Sequence, residues 1–432
     1  MKNLLVLALT VIMVPTAFGD DWPQWMGPKR DNIWRETGLL DSFPKNGPKY
    51  VWRTKIAGGY AGPAVGNGKV IITDYVTSEN VQVPNFDRNV FSGTERVHCL
   101  NEKTGKIEWS HQYAVKYNIS YPGGPRCTPN IEGNKVYTLG AVGHLFCFDI
   151  NSGKILWSKD LCKEYDTEPA LWGYAAHPLI YGDTILTLAG GKGSHIVAFD
   201  KNTGKEVWKA LTSEGRGYAP PTIIKAAGIE QLICLHPEGI TSISPKNGKK
   251  YWSLPYTADN TSIIMSPVRW NDYIFFGGYS NRNMLVKLDS DEPKAETVFR
   301  NKNDFAMSPV NVQPMIVGDM LYGFNSGSLL GVKMPSCKRI WTTSAPVSEE
   351  PLHAGTAFIV KQGDRFWLFN EKGDLIIAKL TPKGYKEIDR MQILKATGRA
   401  FRRSVVWSQP AFANRKIYAL NDNEIVCVDL AK

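Results

Sequence analysis

Adjacent cysteines, CxxC pairs and CxxCH strings are all missing, although the chain carries seven Cys. Their absence removes thioredoxin-like redox chemistry, c-type haem attachment and zinc-ribbon readings, and the odd count leaves one thiol outside any set of disulfides. No block of Lys or Arg occurs, and a formal charge of +10 is mild for 432 residues, so no nucleic-acid partner is inferred. No metal-ligand spacing is present, and no His stands in a known spacing with a carboxylate or a nucleophile. Only 21% of residues are charged against 43% hydrophobic, so the chain can bury a large core and is not disordered. What is abundant is Gly (39), Pro (26) and Trp (13), a mixture that argues against a helical bundle.

The one long apolar run lies at the start. Lys2 supplies a positive end, Leu4 to Val14 an apolar stretch too short to span a bilayer, and Ala17-Phe18-Gly19 a small-x-small cleavage site. Residues 1–19 are therefore expected to be a signal peptide, with the mature chain starting near Asp20 in a periplasmic or secreted location. No Cys precedes Cys99, so lipidation of a mature N-terminal Cys is excluded, and no transmembrane segment is expected.

Certain strings recur. NEKTGKIEW ends at Trp109, NSGKILW at Trp157, NTGKEVW at Trp208, KNGKKYW at Trp252, and a degenerate PSCKRIW at Trp341. Upstream of them runs a second pattern: a Pro, an apolar pair, a polar turn and a β-rich tetrapeptide, as in Pro129 leading to KVYT and Pro410 leading to KIYA. Separations of about 40 to 60 residues point to a propeller or a similar array. Each unit reads as four short strands, with Asn/Asp and Gly supplying the positive-φ positions of the Asn-x-Thr-Gly-Lys hairpin. Packing such sheets radially buries their faces and leaves only short edges. Eight blades are expected, starting at Pro63, Pro129, Pro178, Pro221, Pro267, Pro314, Ala357 and Pro410. The last stops at Asp429 without a Trp strand, while an unassigned one, Tyr50-Val51-Trp52-Arg53, precedes the first Pro. The fold class is therefore an all-β, eight-bladed propeller of four-stranded antiparallel blades, its ring closed by the N-terminal strand completing the last blade. Residues 20–48 form an extension packing on it, and 49–432 one domain.

Ten residues before each Trp stands a small residue: Cys99, Cys147, Ala198, Ser242 and Gly331, with Ala378 and Cys427 equivalent and Lys287 an exception. Three of the Cys thus read as buried small residues. Cys127 and Cys162 flank one unit and can bridge only if their loops meet.

The tight Thr-Gly turns should share one face, short, uniform and poor in recognition surface. The irregular connections (Thr73 to Arg96, Ser110 to Arg126, Ser158 to His177) should share the other, where binding is expected. The residues three before each blade start form a ring at the channel mouth: Tyr60, Arg126, Ala175, Tyr218, Ile264, Asn311, Ala354 and Trp407. With Trp172, Tyr174, His177, Arg216, Arg282, Arg402 and Arg403 nearby, this reads as an aromatic, arginine-rich funnel suited to sugars, quinones or anionic groups. The candidate ligand-binding residues are Tyr60, Arg126, Trp172, Tyr174, His177, Tyr218, Arg282 and Trp407. The alternative is that the aromatics plug the channel.

The TGKxxW turn-strand, with its upstream Leu/Phe-Asp/Asn, resembles the pyrroloquinoline quinone (PQQ) repeat, and Tyr50 to Asp429 is similar to the eight-bladed quinoprotein alcohol dehydrogenase-like superfamily. DWPQWMGPKRDNIW (21–34), GGPRCTP (123–129), WGYAAHP (172–178) and SQPAFANRKIYALNDNEIVCVDL (408–430) resemble a group of secreted bacterial PQQ-like propellers. In blade number the chain is also similar to the propeller lipoprotein of the outer-membrane assembly machinery. Quinoprotein dehydrogenases of the superfamily hold PQQ between a Trp and a disulfide of adjacent cysteines, beside a calcium bound by carboxylates and Asn. This sequence has no such cysteine pair, and no calcium-ligand set is recognised. The expectation is a non-catalytic binding or scaffold module for a glycan or protein partner on the loop-rich face, with no cofactor. The alternative is a PQQ-dependent alcohol or sugar dehydrogenase, and a further one a glycan-active lyase or hydrolase using His177 and a Tyr.

Overall fold

Each Pro-apolar-turn-β string becomes the two inner strands of a blade, and each TGKxxW string its outer hairpin. A computed structural model describes residues 20–432 except 260–261, 281, 301–305 and 310; residues 1–19, where the sequence places a leader, lie outside the described residues. Eight four-stranded antiparallel sheets are present, seven with strands in sequence order and the eighth in the order 411–413, 416–420, 424–429, 50–55 from the axis outward. The N-terminal strand thus completes the last blade, with Trp52 opposite Cys427 and Thr54 opposite Ile425. The first strand of each blade begins within a residue of the expected start. A two-stranded ribbon, 398–400 with 403–405, precedes the eighth blade.

The small residue before the turn is explained by the register. Cys99 faces Trp109, Cys147 faces Trp157, Ala198 faces Trp208, Ser242 faces Trp252 and Gly331 faces Trp341, each beside a β-bulge. The indole lies across its opposite residue; a Cβ on Gly331 would fall within the Trp341 ring. In the fifth and seventh blades the corresponding residues are Leu285 and Ile377, which face Phe299 and Asp389. Lys287 and Ala378 are therefore displaced from that position, because longer or irregular turns shift the count, and without an opposing Trp the position tolerates a large side chain.

The same tryptophans join neighbouring blades. Trp52 donates its indole N–H to the Glu102 carbonyl of the first blade (2.8 Å), Trp109 to Ile150 of the second (2.8 Å), Trp157 to Lys201 of the third (3.1 Å) and Trp341 to Thr381 of the seventh (2.9 Å). A Cβ on Gly105, Gly153, Gly204 or Gly248 would strike the ring of Trp52, Trp109, Trp157 or Trp208 respectively. The turn glycine thus serves twice: it adopts positive φ, and it leaves room for the preceding blade's indole. Trp208 is the variant, with no partner for its indole nitrogen, and Trp252 bonds within its own blade to Gln231.

Two loop expectations change. The 73–96 and 110–126 stretches are largely strand: the outer pair of the first blade runs over Val90–Asn101 and Ile107–Asn118, leaving only 77–89 as an insertion. The extra length is anchored by buried Glu95, which accepts hydrogen bonds from Tyr113, Tyr117 (2.6 Å) and the Ala141 amide (2.9 Å). Cys127 and Cys162 are not bridged; all seven cysteines are free, with Cys127 against the Tyr174 carbonyl and Cys162 against that of Val142.

Candidate functional site

The face of tight turns is not bare. Residues 21–40 run across it, and the apolar side chains of that segment dictate the path. Trp22 pairs with Val65, the Asn67 amide donates to Asp21, and Ile131 donates to the Pro23 carbonyl, seating the segment on the first two blades. Trp34 packs on Trp367 and Phe412, and its amide donates to the Lys361 carbonyl (2.8 Å), seating the segment on the last two. Between these anchors the chain crosses the axis with Met26, Arg30 and Asn32 in left-handed backbone, a conformation that non-glycine residues rarely adopt. Trp25 stacks on His177 with centroids 4.6 Å apart and planes 7° from parallel. Half-buried Arg30 lies over Trp25 and donates to the Pro178 carbonyl (2.9 Å). The crossing closes the tight-turn end of the central channel, so this face is occupied by the chain itself.

Above Trp25 the channel widens into a cavity of about 680 Å³. All eight ring residues line it: Tyr60, Arg126, Ala175, Tyr218, Ile264, Asn311, Ala354 and Trp407. So do Trp172 and His177. At the loop-rich end the wall is continued by Phe86, Ser280, Ser326, His353 and Phe401, of which Phe86 is half exposed, so the cavity opens towards solvent there. The aromatics therefore surround the axis without filling it.

Close backbone approach makes this geometry possible at two glycines. Gly62 lies so near the Gln409 carbonyl that a Cβ would overlap it, and Gly124, at φ 138°, lies against Gly58. Tyr60 and Arg126 are fixed by these turns. The Arg126 guanidinium donates to the carbonyls of Ser120 (2.9 Å), Tyr121 (2.5 Å) and Gly124, and sits 5.1 Å from the Tyr60 ring. Burial pushes the Tyr60 phenol up to about 12 despite Arg126, so it stays neutral. Trp172 is held from two sides: its indole N–H donates to Asn85 (2.9 Å) and its amide to the Tyr218 hydroxyl (3.3 Å), with Phe86 and Tyr218 rings at 5.6 and 5.5 Å. On the far side Trp407 meets Tyr121 and Phe401 at 5.6 and 6.0 Å.

His177 is a structural group in this arrangement. Its Nδ1 accepts the Thr128 amide (3.0 Å), and burial, with Arg30 adding to it, drives its pKa well below the ordinary 6.5. The ring is neutral, so the proton resides on Nε2 and the nitrogen with a lone pair is already engaged. This leaves it no free base for the lyase or hydrolase chemistry considered above.

Two sequence candidates lie elsewhere. Tyr174 is buried between blades under Arg216, whose guanidinium is 4.2 Å from the ring and bonds to Ala189, Glu168 and Thr167. Arg282 pairs with Asp259 (3.5 Å) outside the channel lining. Arg403 is likewise engaged by Glu371 (2.6 Å). Among the described lining residues the funnel is aromatic but has one arginine, Arg126, not several. Trp25, Phe86, Tyr121, Phe358 and Phe401 line it without having been singled out; all but Phe358, which follows the start of the seventh blade, come from outside the repeat.

No Asp or Glu is among the lining residues, and no cluster of three His, Cys, Asp or Glu able to hold a metal occurs among the described residues. A quinone beside a carboxylate-bound calcium does not fit such a wall. Its one guanidinium is committed to three carbonyls, and the cysteines are dispersed and free. Among the described residues a pair of carboxylates for glycoside hydrolysis is equally missing from the lining.

Comparison with solved structures confirms the architecture. The chain is similar to BamB from Moraxella catarrhalis (TM-score 0.58, 16% identity, 88% of this chain and 99% of that one). It is also similar to the quinohemoprotein alcohol dehydrogenase of Comamonas testosteroni (TM-score 0.60, 11% identity, 95% and 80%). Among curated proteins it is similar to outer membrane protein assembly factor BamB of Shewanella oneidensis, 23% identical over 58% of this chain and 65% of that protein. It is similar as well to a quinoprotein ethanol dehydrogenase of Pseudomonas aeruginosa, 28% identical over 29% of this chain and 22% of that one. The chain thus spans less than two thirds of the length of these curated relatives. The family model described as outer membrane protein assembly factor BamB matches residues 93–343, more than half of the 432, and the chain belongs to that PQQ-repeat propeller family, PQQ_2.

Proposed function

We propose that this protein is an extracytoplasmic, non-catalytic binding or scaffold module that engages a glycan or a protein partner through the loop-rich face of its propeller. Residues 49–432 are read as one propeller domain and 20–48 as an extension that caps it. One observation carries the reading: the channel is stoppered at the tight-turn end by Trp25, opens at the loop-rich end, and is walled by aromatics, neutral polar groups and Arg126, with no carboxylate among the described lining residues. Such a wall can bind and orient but offers no paired acid and base. A protein partner is favoured by the family match, since the relatives named BamB are named for outer membrane protein assembly. The signal-peptide pattern read in the sequence at 1–19 supports placement beyond the cytoplasmic membrane, and among the described residues no helix is long and apolar enough to cross one. The test is a thermal-shift screen of wild type and Ala175→Trp, a change that fills the channel, against oligosaccharides, peptides and quinones. Ligands that raise the melting temperature of wild type alone support the reading. Turnover of an alcohol or sugar with PQQ and calcium would defeat it.

A further inference from the structure

We infer that the outermost strand of the first blade is a self-association edge, which pairs antiparallel with the same strand of a second copy of this chain about a two-fold axis at Gln112. The surface lies on the rim of the propeller, outside the channel, and does not depend on what the channel binds. Each blade ends in an outermost strand with no further strand beside it. Such an edge is a template for another chain, and proteins protect it with short length, charge or proline. Seven of the eight outermost strands are protected in this way. They are five to nine residues long, and within them no more than five uncharged residues stand in a row; the five in Lys250–Pro255 end on the proline. Ile107–Asn118 is the exception. It has 12 residues, and Trp109 to Val115 form a run of seven without Asp, Glu, Lys, Arg or Pro. Among the described residues, the main chain of 109–117 makes no hydrogen bond beyond its pairing with Val90–Asn101.

The edge is preformed. One row of its side chains packs on the second blade: Trp109 donates its indole N–H to the Ile150 carbonyl (2.8 Å), the His111 and Tyr113 rings lie 5.3 and 4.8 Å from Phe146, and Val115 and Tyr117 are buried. That row fastens the strand in its extended form, so little ordering remains for a partner to impose. The other row, Ser110, Gln112, Ala114 and Lys116, is exposed.

The charge pattern selects the occupant. Glu108 and Lys116 bracket the neutral run, four residues on either side of Gln112. A two-fold axis at Gln112 brings Glu108 of each copy beside Lys116 of the other, and Ser110 beside Ala114. Gln112 meets itself, where two carboxamides, each both donor and acceptor, can pair. A parallel, in-register pairing would instead set like charges against each other. Exposed Lys116 has no ion-pair partner among the described residues, and the Glu108 carboxylate is positioned by Asn101 (2.9 Å) and Lys69. A two-fold contact is closed, so it gives a dimer and stops there.

The test is sedimentation velocity of the full chain over a concentration series up to ~100 µM, because an edge contact of this kind is small. Wild type should pass from monomer to dimer. Gln112→Lys, which sets two like charges on the axis, should stay monomeric and keep the wild-type melting temperature. Lys116→Glu and Glu108→Lys should each weaken the dimer about tenfold or more. Mixing those two variants should restore it, because each supplies the charge that the other lacks. In a Cys162→Ala background, oxidation of Gln112→Cys should link two chains, whereas Ala114→Cys should not. A chain that stays monomeric throughout leaves the edge to a strand of another protein and overturns the inference. So does a dimer that Gln112→Lys leaves undisturbed, or one that Ala114→Cys links as well as Gln112→Cys.

Discussion

Ring closure should be measurable at a single indole. Trp52 is 8% exposed, faces Cys427 across the strand pair, lies 5.9 Å from the Tyr418 ring, and donates to the Glu102 carbonyl at 2.8 Å while covering Gly105 of the first blade. It thus ties the strand that completes the eighth blade to the blade beside it. Trp52→Ala is expected to cost about 3–5 kcal/mol, the range for emptying a buried aromatic site. Trp52→Phe is expected to cost about 1 kcal/mol for the lost hydrogen bond plus a smaller packing term. Trp208 is the internal control: it is as buried (9%) and covers Gly248, but its indole nitrogen has no partner, so Trp208→Phe should be close to neutral. The assay is guanidinium unfolding together with hydrogen exchange of residues 50–55 and 424–429. If Trp52→Ala costs less than about 1 kcal/mol, or those amides exchange no faster than the strands of the fourth blade, the indole does not lock the circle.

Other outcomes follow from the same contacts. Burial alone would raise the Asp74 carboxyl, but the His98 ring 3.4 Å away and two hydrogen bonds from Arg96 (2.8 and 2.6 Å) outweigh it and hold the pKa at about 2 against 3.8. Because the folded value is the lower one, the stabilisation is complete above about pH 4 and lost as pH falls through about 2, and Asp74→Asn should flatten acid unfolding over that window. Trp25→Ala should wet the His177 ring and move its pKa up towards 6.5, read by NMR titration; an unchanged value would show that Trp25 does not shield it. Thiol titration should find seven reactive groups in guanidinium without reductant and, in the native protein, fast reaction only at half-buried Cys162; fewer than seven would mean a disulfide. Gly62→Ala should impair folding, because its Cβ would overlap the Gln409 carbonyl; wild-type stability would show that the first and eighth blades can part there.

Local chemistry made the fold legible. A Thr-Gly turn and a small residue with its opposing Trp ten positions on are short-range signals, and eight repetitions of a blade start leave one arrangement that pairs Tyr50–Lys55 with Glu424–Asp429. The channel ring was legible for the same reason, since a fixed offset from each blade start points to the axis. What could not be read came from outside the period. Trp25 reaches the axis through a crossing set by Trp22 and Trp34, and no sequence offset relates it to His177. Tyr174 lies one residue before the ring position Ala175, and that step turns it into the seam between blades instead of the channel. The arginines were misread because a cation in a loop carries no mark of its partners; Glu371 and Asp259 are distant in sequence from Arg403 and Arg282.

The seating of residues 50–55 against 424–429 also imposes an order of events during synthesis. The edge that accepts the first strand does not exist until Glu424–Asp429 have left the ribosome, and the stopper at Trp25 rests partly on Phe412 and Lys361 through its Trp34 anchor. A nascent chain must therefore carry an exposed, tryptophan-rich head through nearly all of its elongation. A product cut short by its last two strands would have neither a shut circle nor a properly anchored floor, however well its middle six blades had formed.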